Sequence, residues 1–167
     1  MAENYSVTDP LTPSPNFSDD QSGEFVLHFP LGLPGFETSK QFVLRAQPSL
    51  APVACLQSTD SPDLCFLVVP VATLVTDYSL SVSPDDLRTL ELDPDGAIET
   101  HTNLLCLAIL TVPEDGSLTA NLLAPVIVNL AANLAVQAVR ADTMYSHRHP
   151  ITSLQSASGG GELEVSC

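Results

Sequence analysis

Apolar and polar residues alternate with a period of two through much of the middle of this chain. In residues 24–29, Phe25, Leu27 and Phe29 share one face. In residues 41–45, Phe42 and Leu44 point one way and Gln41 and Arg45 the other. Residues 78–82 alternate strictly. This is the period of a half-buried antiparallel strand. Residues 53–57, 64–69, 104–112, 125–130 and 134–140 are further short runs, some nearly continuous in apolar residues, as expected for strands covered on both faces. Turn chemistry separates the runs. Pro113-Glu114-Asp115-Gly116 predicts a hairpin turn. Leu33-Pro34-Gly35-Phe36 suits a type II turn, with Pro34 presetting φ and Gly35 taking the positive φ. Asp93-Pro94-Asp95-Gly96 is another turn, and Asn133 marks a bend between two strands. One short helix is predicted from Pro84 to about Leu90. Ser83 caps it, Asp85 and Asp86 sit in its first turn, and Leu87 and Leu90 face the core. Residues 131–140 could form a second helix, but Asn129 and Asn133 spoil a 3.6-residue period and strand is preferred.

Eight or more short strands at hairpin spacing predict a mostly β fold: a small antiparallel β-barrel-like single domain with one or two short helices. Closure would leave no open edge in a chain with too little lysine to protect one by charge. The ends differ from the middle. Residues 1–22, with Pro10, Pro13 and Pro15 among small polar residues, read as a disordered tail. Residues 152–167, with Gly159-Gly160-Gly161, read as a flexible one. The folded domain is then 23–151.

Charge narrows the function. The 167 residues include 20 acids and 5 bases, a formal net charge of −15. Direct nucleic-acid binding needs clustered cations, and docking on an anionic membrane needs the same, so both are excluded as expectations. Basic protein partners are favoured. The high charge also points to a monomer. No signal peptide or membrane-length apolar run is visible, which predicts a cytoplasmic protein. Cys55, Cys65, Cys106 and Cys167 show no CxxC spacing and read as reduced thiols, the first three as small core residues.

No catalytic constellation is present: no GxSxG, no phosphate-binding glycine loop, no HExxH. Asp85 and Asp86 read as helix N-terminal charge rather than paired catalytic acids. His147 and His149 flank Arg148 near a tail and read as a solvated polar segment rather than a metal site. His28 and His101 are isolated. The acids of 91–99 lack the spacing of a calcium loop. No enzyme activity, cofactor or metal is therefore expected. Two segments carry more information. Residues 30–37, Pro-Leu-Gly-Leu-Pro-Gly-Phe-Glu, form either a rigid strand connection with Phe36 packed into the core or a partner-facing loop, the first being preferred. Asn121-Leu122-Leu123-Ala124-Pro125 places an amide beside a proline between two strands, where Asn121 would bond backbone and fix a corner.

These segments resemble the flagellar assembly factor FliW family. Its strand followed by GLPGFE stands here as Gly32 to Glu37, after residues 25–29. Its Leu-Gln-Ser strand end is Leu56-Gln57-Ser58, followed by Ser61-Pro62-Asp63 and the run through Pro70. Tyr78 lies on an alternating strand. Asn-Leu-x-Ala-Pro-x-x-x-Asn stands as residues 121–129, and Gln137, Tyr145 and Arg148 follow. The matches run in order over about 24–151. Three features depart from the family: Cys55 where an aromatic is frequent, Gln137-Ala138-Val139-Arg140 in the closing strand, and longer tails. The resemblance implies a non-enzymatic cytoplasmic protein that binds flagellin and the translational repressor CsrA by partner exchange. It also places Pro34, Gly35, Phe36, Glu37, Asp60, Asp63, Asp85 and Asp86 on or near partner surfaces. The competing class is a small-molecule carrier with an apolar lumen.

Overall fold

The computed structural model describes residues 5–6, 23–96, 103–141, 144–155 and 162–163. The strands are β1 (Tyr5–Ser6), β2 (Glu24–His28), β3 (Gln41–Ala46), β4 (Ala54–Ser58), β5 (Cys65–Pro70) and β6 (Ser79–Leu80). After the helix α1 (Pro84–Thr89) come β7 (Leu104–Thr111), β8 (Thr119–Asn129), β9 (Leu134–Gln137), β10 (His149–Pro150), β11 (Leu154–Gln155) and β12 (Glu162–Leu163). The tails expected at 1–22 and 152–167 lie largely outside the described residues, as do His101, Cys167 and residues 97–99. Within them, β1 pairs with β6 and β11 with β12.

Seven strands close a barrel in the order β8-β7-β5-β4-β3-β2-β9, with β9 returning to β8. Neighbours are antiparallel except at the seam between β2 and β9, where His28 meets Leu134 in parallel and the His28 N–H donates to the Asn133 carbonyl at 2.8 Å. The predicted closure is borne out: β2 and β9 complete the cylinder, and no edge strand remains in it. Asn133 takes φ 56°, the left-handed backbone that lets the chain reverse between β8 and β9. β10 adds a two-residue flap to the start of β8.

Strand parity divides the apolar residues into two cores. Leu27, Phe29, Phe42, Leu44, Leu56, Val68, Leu107, Val126 and Val128 point inward and fill the barrel. The carrier alternative requires an apolar lumen, but side chains occupy this one. An apolar recess of about 70 Å³ lies at the end lined by Leu44, Ala54 and Pro70, far below the ~300–1,000 Å³ of ligand pockets. The second core lies outside the barrel. Cys106, Ala108, Ile127 and Val136 point outward and are covered by Val71, Tyr78, Leu80, Val82, Leu87, Leu90 and Leu92. β7, β8 and β9 are therefore apolar on both faces, which is why their sequences run nearly continuously.

The helix forms as predicted. The Ser83 hydroxyl accepts from the Asp86 N–H at 3.1 Å, Pro84 opens the first turn, and Leu87 and Leu90 are buried. The Asn129 side chain donates to the Leu90 carbonyl at 2.9 Å, tying the helix C-terminus to the end of β8.

Two expectations are corrected. Residues 121–125 are not a corner between two strands. They lie inside the eleven-residue β8, at a bulge where pairing to β7 steps from Leu107–Val126 to Ile109–Asn121. Pro125 lacks an N–H and is tolerated where the ladder is broken. Asn121 does bond backbone, its Oδ1 accepting from the Ala124 N–H at 3.0 Å. The bulged backbone pairs with the closing segment instead: the Ala138 and Arg140 N–H groups donate to the carbonyls of Pro125 and Leu123. Arg140, a departure noted in the sequence, is 5% exposed and lies over the rings of Tyr145 and Tyr78. The second correction concerns the cysteines. Cys106 packs against the outer core, and burial pushes its thiol up to about 12. Cys55 and Cys65 are not core residues. Both point outward from the β4–β5 hairpin, Cys65 exposed, and their sulfurs are joined in a disulfide. Hydrophobic runs conceal this, because in a one-sided strand every second residue faces out whatever its type.

Candidate functional site

One end of the barrel is built from the β2–β3 connection (residues 29–40) and the β4–β5 turn (59–64), which the antiparallel β3 and β4 bring together. The first is the Gly-Leu-Pro-Gly-Phe-Glu segment, and its residue types follow from backbone demands. Gly32 sits at φ 70°, and a Cβ there would meet the Glu37 Cα at 2.6 Å. Only glycine allows two backbone segments to approach so closely. Leu33 is buried and anchors the loop to the barrel interior. Pro34 and Gly35 turn the chain, Gly35 at φ 87°, and the Phe36 N–H donates to the Leu33 carbonyl at 2.7 Å, as the type II turn requires. The Glu37 Oε1 accepts from the Gly35 N–H at 2.9 Å. That bond, helped by Glu37's own N–H and by Lys40, holds its carboxyl below the usual range. Lys40 reaches back to donate to the Pro30 carbonyl at 3.1 Å.

The preferred core position for Phe36 is corrected here. Leu33 takes the buried position, and the tight turn lifts Phe36 to the surface, 42% exposed. Its ring meets Phe66 edge-on at 5.4 Å. Phe66 faces Phe42 at 6.3 Å, and Phe42 packs on Phe29 at 4.9 Å. A train of four rings thus runs from the filled interior to an exposed aromatic at the mouth. Phe36 is held by contacts beneath it and presents a free face above, the arrangement of a preorganised anchor.

The adjacent turn supplies charge. Asp60 Oδ2 accepts from the backbone N–H groups of Lys40 and Gln41 at 2.8 and 3.2 Å, in that order the main causes holding its carboxyl low. It both latches the two connections together and stays ionised. The Gln57 side chain bonds the carbonyls of Pro62 and Leu64 and shapes the same turn. Asp63 is exposed within it. Pro34, Gly35, Phe36, Glu37, Asp60 and Asp63 therefore meet at one end. Asp85 and Asp86 belong elsewhere, on α1, which packs on the outer core. Asp85 pairs with the exposed Arg88 at 2.6 Å, and Asp86 bonds the Ser83 hydroxyl at 2.8 Å. Among the described residues no group of three or more His, Cys, Asp and Glu side chains could hold a metal ion. No helix among them is long and apolar enough to cross a membrane.

Phe66 and Lys40 escaped the sequence reading as site residues. Phe66 shares the inward parity of Val68, so alternation points it inside; that it reaches the mouth depends on which loop folds over it. Lys40 stood out only as one of five cations.

The family profile described as "FliW protein" matches residues 17–151. The chain is 35% identical over 129 residues to the flagellar assembly factor FliW of Syntrophomonas wolfei, covering 77% of this chain and 79% of that one. It is 36% identical over 129 residues to the Bacillus subtilis protein of the same name, covering 77% and 86%. A crystal structure of the flagellar assembly factor FliW superposes with a TM-score of 0.63 at 30% identity, covering 75% of this chain and 84% of that one.

Proposed function

The chain belongs to the FliW family of flagellar assembly factors, and from that premise we propose that it is a non-enzymatic cytoplasmic binding protein that exchanges two partners. One is flagellin. The other is the translational repressor CsrA, whose release of flagellin message follows from being bound. Scarce flagellin leaves this protein free to hold the repressor; abundant flagellin occupies it and frees the repressor. Such a switch needs only negative coupling between the two bindings.

The observation that carries the reading is the mouth of the barrel: a rigid loop presents Phe36 between carboxylates at Glu37 and Asp60 that are held ionised. An exposed aromatic on a preorganised support suits protein recognition, and the formal charge of −15 complements a basic repressor and speeds encounter. Asp63, at the same end, belongs to the same proposed surface. Asp85 and Asp86 contribute to the overall field.

Titration of the purified protein with CsrA, repeated with flagellin present, tests the proposal. Saturable binding that flagellin weakens supports it. Equal affinity with and without flagellin, or no binding at low salt, overturns it. Phe36→Ala should weaken at least one of the two bindings tenfold or more, because truncation removes the anchor and leaves the loop's hydrogen bonds in place. Asp63→Lys should slow association with the repressor and flatten its salt dependence.

A further inference from the structure

We propose that Cys55 and Cys65 form a thiol–disulfide exchange site that opens and closes without unfolding the protein and sets the rigidity of the acidic turn at the barrel mouth. The register pairs Cys55 with Leu67 and Gln57 with Cys65, so the two cysteines are diagonal neighbours on the outer face of one hairpin. Their Cα atoms are 6.6 Å apart, within the span a disulfide bridges. Strand pairing already joins β4 to β5 at these positions, and only ten positions separate the two cysteines in sequence. The link therefore closes a short loop that the hairpin closes anyway, and the fold does not depend on it. Cys65 is exposed, whereas Cys106 is partly buried and packs against the outer core.

The exchange balances with a low-molecular-weight disulfide as oxidant. The Cys65 thiolate attacks one sulfur of that disulfide, its S–S bond breaks, and one thiolate leaves and takes up a proton. The Cys55 thiolate then attacks the Cys65 sulfur, the mixed disulfide breaks, and the second thiolate leaves. Two protein thiols lose two electrons, and the small disulfide becomes two thiols.

The mechanical consequence follows from position. Cys65 opens β5 immediately after the 59–64 turn, whose Asp60 holds the Lys40 and Gln41 N–H groups and so braces the Phe36 loop. Cross-linking the base of that hairpin restrains the turn, and reduction loosens it.

Full-length protein equilibrated in graded mixtures of reduced and oxidised glutathione, acid-quenched, unfolded and alkylated, tests the site by intact mass. The expected result is a step between four and two alkylated cysteines, with peptide mapping placing the protected pair at 55 and 65. Cys65→Ser should show three alkylated cysteines at every mixture while keeping a cooperative unfolding transition. Four alkylated cysteines throughout, a bond that no glutathione mixture opens, or linkage through Cys167 would each overturn the site. Hydrogen exchange in residues 59–64 should be slower in the oxidised protein, and equal exchange in the two states would overturn the coupling to the turn.

Discussion

The outward-facing side chains of β7–β9 and those of β2–β5 occupy equivalent positions on one cylinder and meet opposite surroundings. On β7–β9, Ala108, Ile127 and Val136 lie under the 71–92 segment and are nearly inaccessible. On β2–β5 the same parity exposes Val26 by 57% and Leu67 by 40%, alongside the Glu24–Arg45 pair and Cys65, with Val43 buried among them and only Val69, at the far end of β5, joining the covered core. The covered wall stores stability. The bare wall leads to the mouth, where Phe36, Glu37 and Asp60 stand in solvent. A closed barrel needs only its interior for closure, so one outer wall is free to be buried and the other to be reactive or adhesive.

The sharpest test of this division is a matched pair of truncations. Ile127→Ala should destabilise by about 2–5 kcal/mol in urea unfolding, since it leaves a cavity between strand and cover. Leu67→Ala, outward on the bare wall, should change stability by no more than about 0.5 kcal/mol. Similar values for the two would erase the distinction. Gly32→Ala should cost about 1–3 kcal/mol from the left-handed backbone alone, with the clash against Glu37 adding to it; far-UV circular dichroism against urea would show it, and a neutral result would mean that the loop rearranges freely. On the covered side, Ser83→Ala removes the helix cap and should cost about 1 kcal/mol, read as a lower urea midpoint with an unchanged slope.

The smallest effect concerns pH. Asp60 has its carboxyl held below its ordinary value of 3.8 by the Lys40 and Gln41 N–H groups. A depressed folded-state pKa contributes stability that is present above 3.8 and lost as pH falls through the lower folded value. The stability difference between the wild type and Asp60→Asn should therefore be constant near neutrality and narrow as pH drops below about 4. A gap that widened on acidification would show that the latch is not made by the carboxylate.

Much of this was legible in the chain. Alternation at 25–29 and 41–45 placed Phe25, Leu27, Phe42 and Leu44 inside, because a pleated strand admits only one such assignment. Pro34-Gly35 and Ser83-Pro84 announced their turn and helix, because those residues have few backbone choices. The β8 bulge was hidden: Pro125 signals broken pairing, and it does not say whether the chain turns or merely slips register. The exposure of Phe36 was hidden too, since Leu33 and Phe36 compete for one buried position and the loop geometry decides between them. The cysteine pair was masked by its apolar neighbours, because strand runs do not reveal which partner lies diagonally across.

By itself the sequence determined the strands, the tight turn at Gly35, the capped helix and the negative field, all of which depend on neighbours within a few positions or on simple sums. Tertiary structure alone decided that β9 closes on β2, that one outer wall is covered and the other bare, that six of the eight candidate partner residues meet at one mouth while Asp85 and Asp86 do not, and that Cys55 faces Cys65. Those facts are distances between residues remote in the chain, and they are set by register and packing once the barrel has closed.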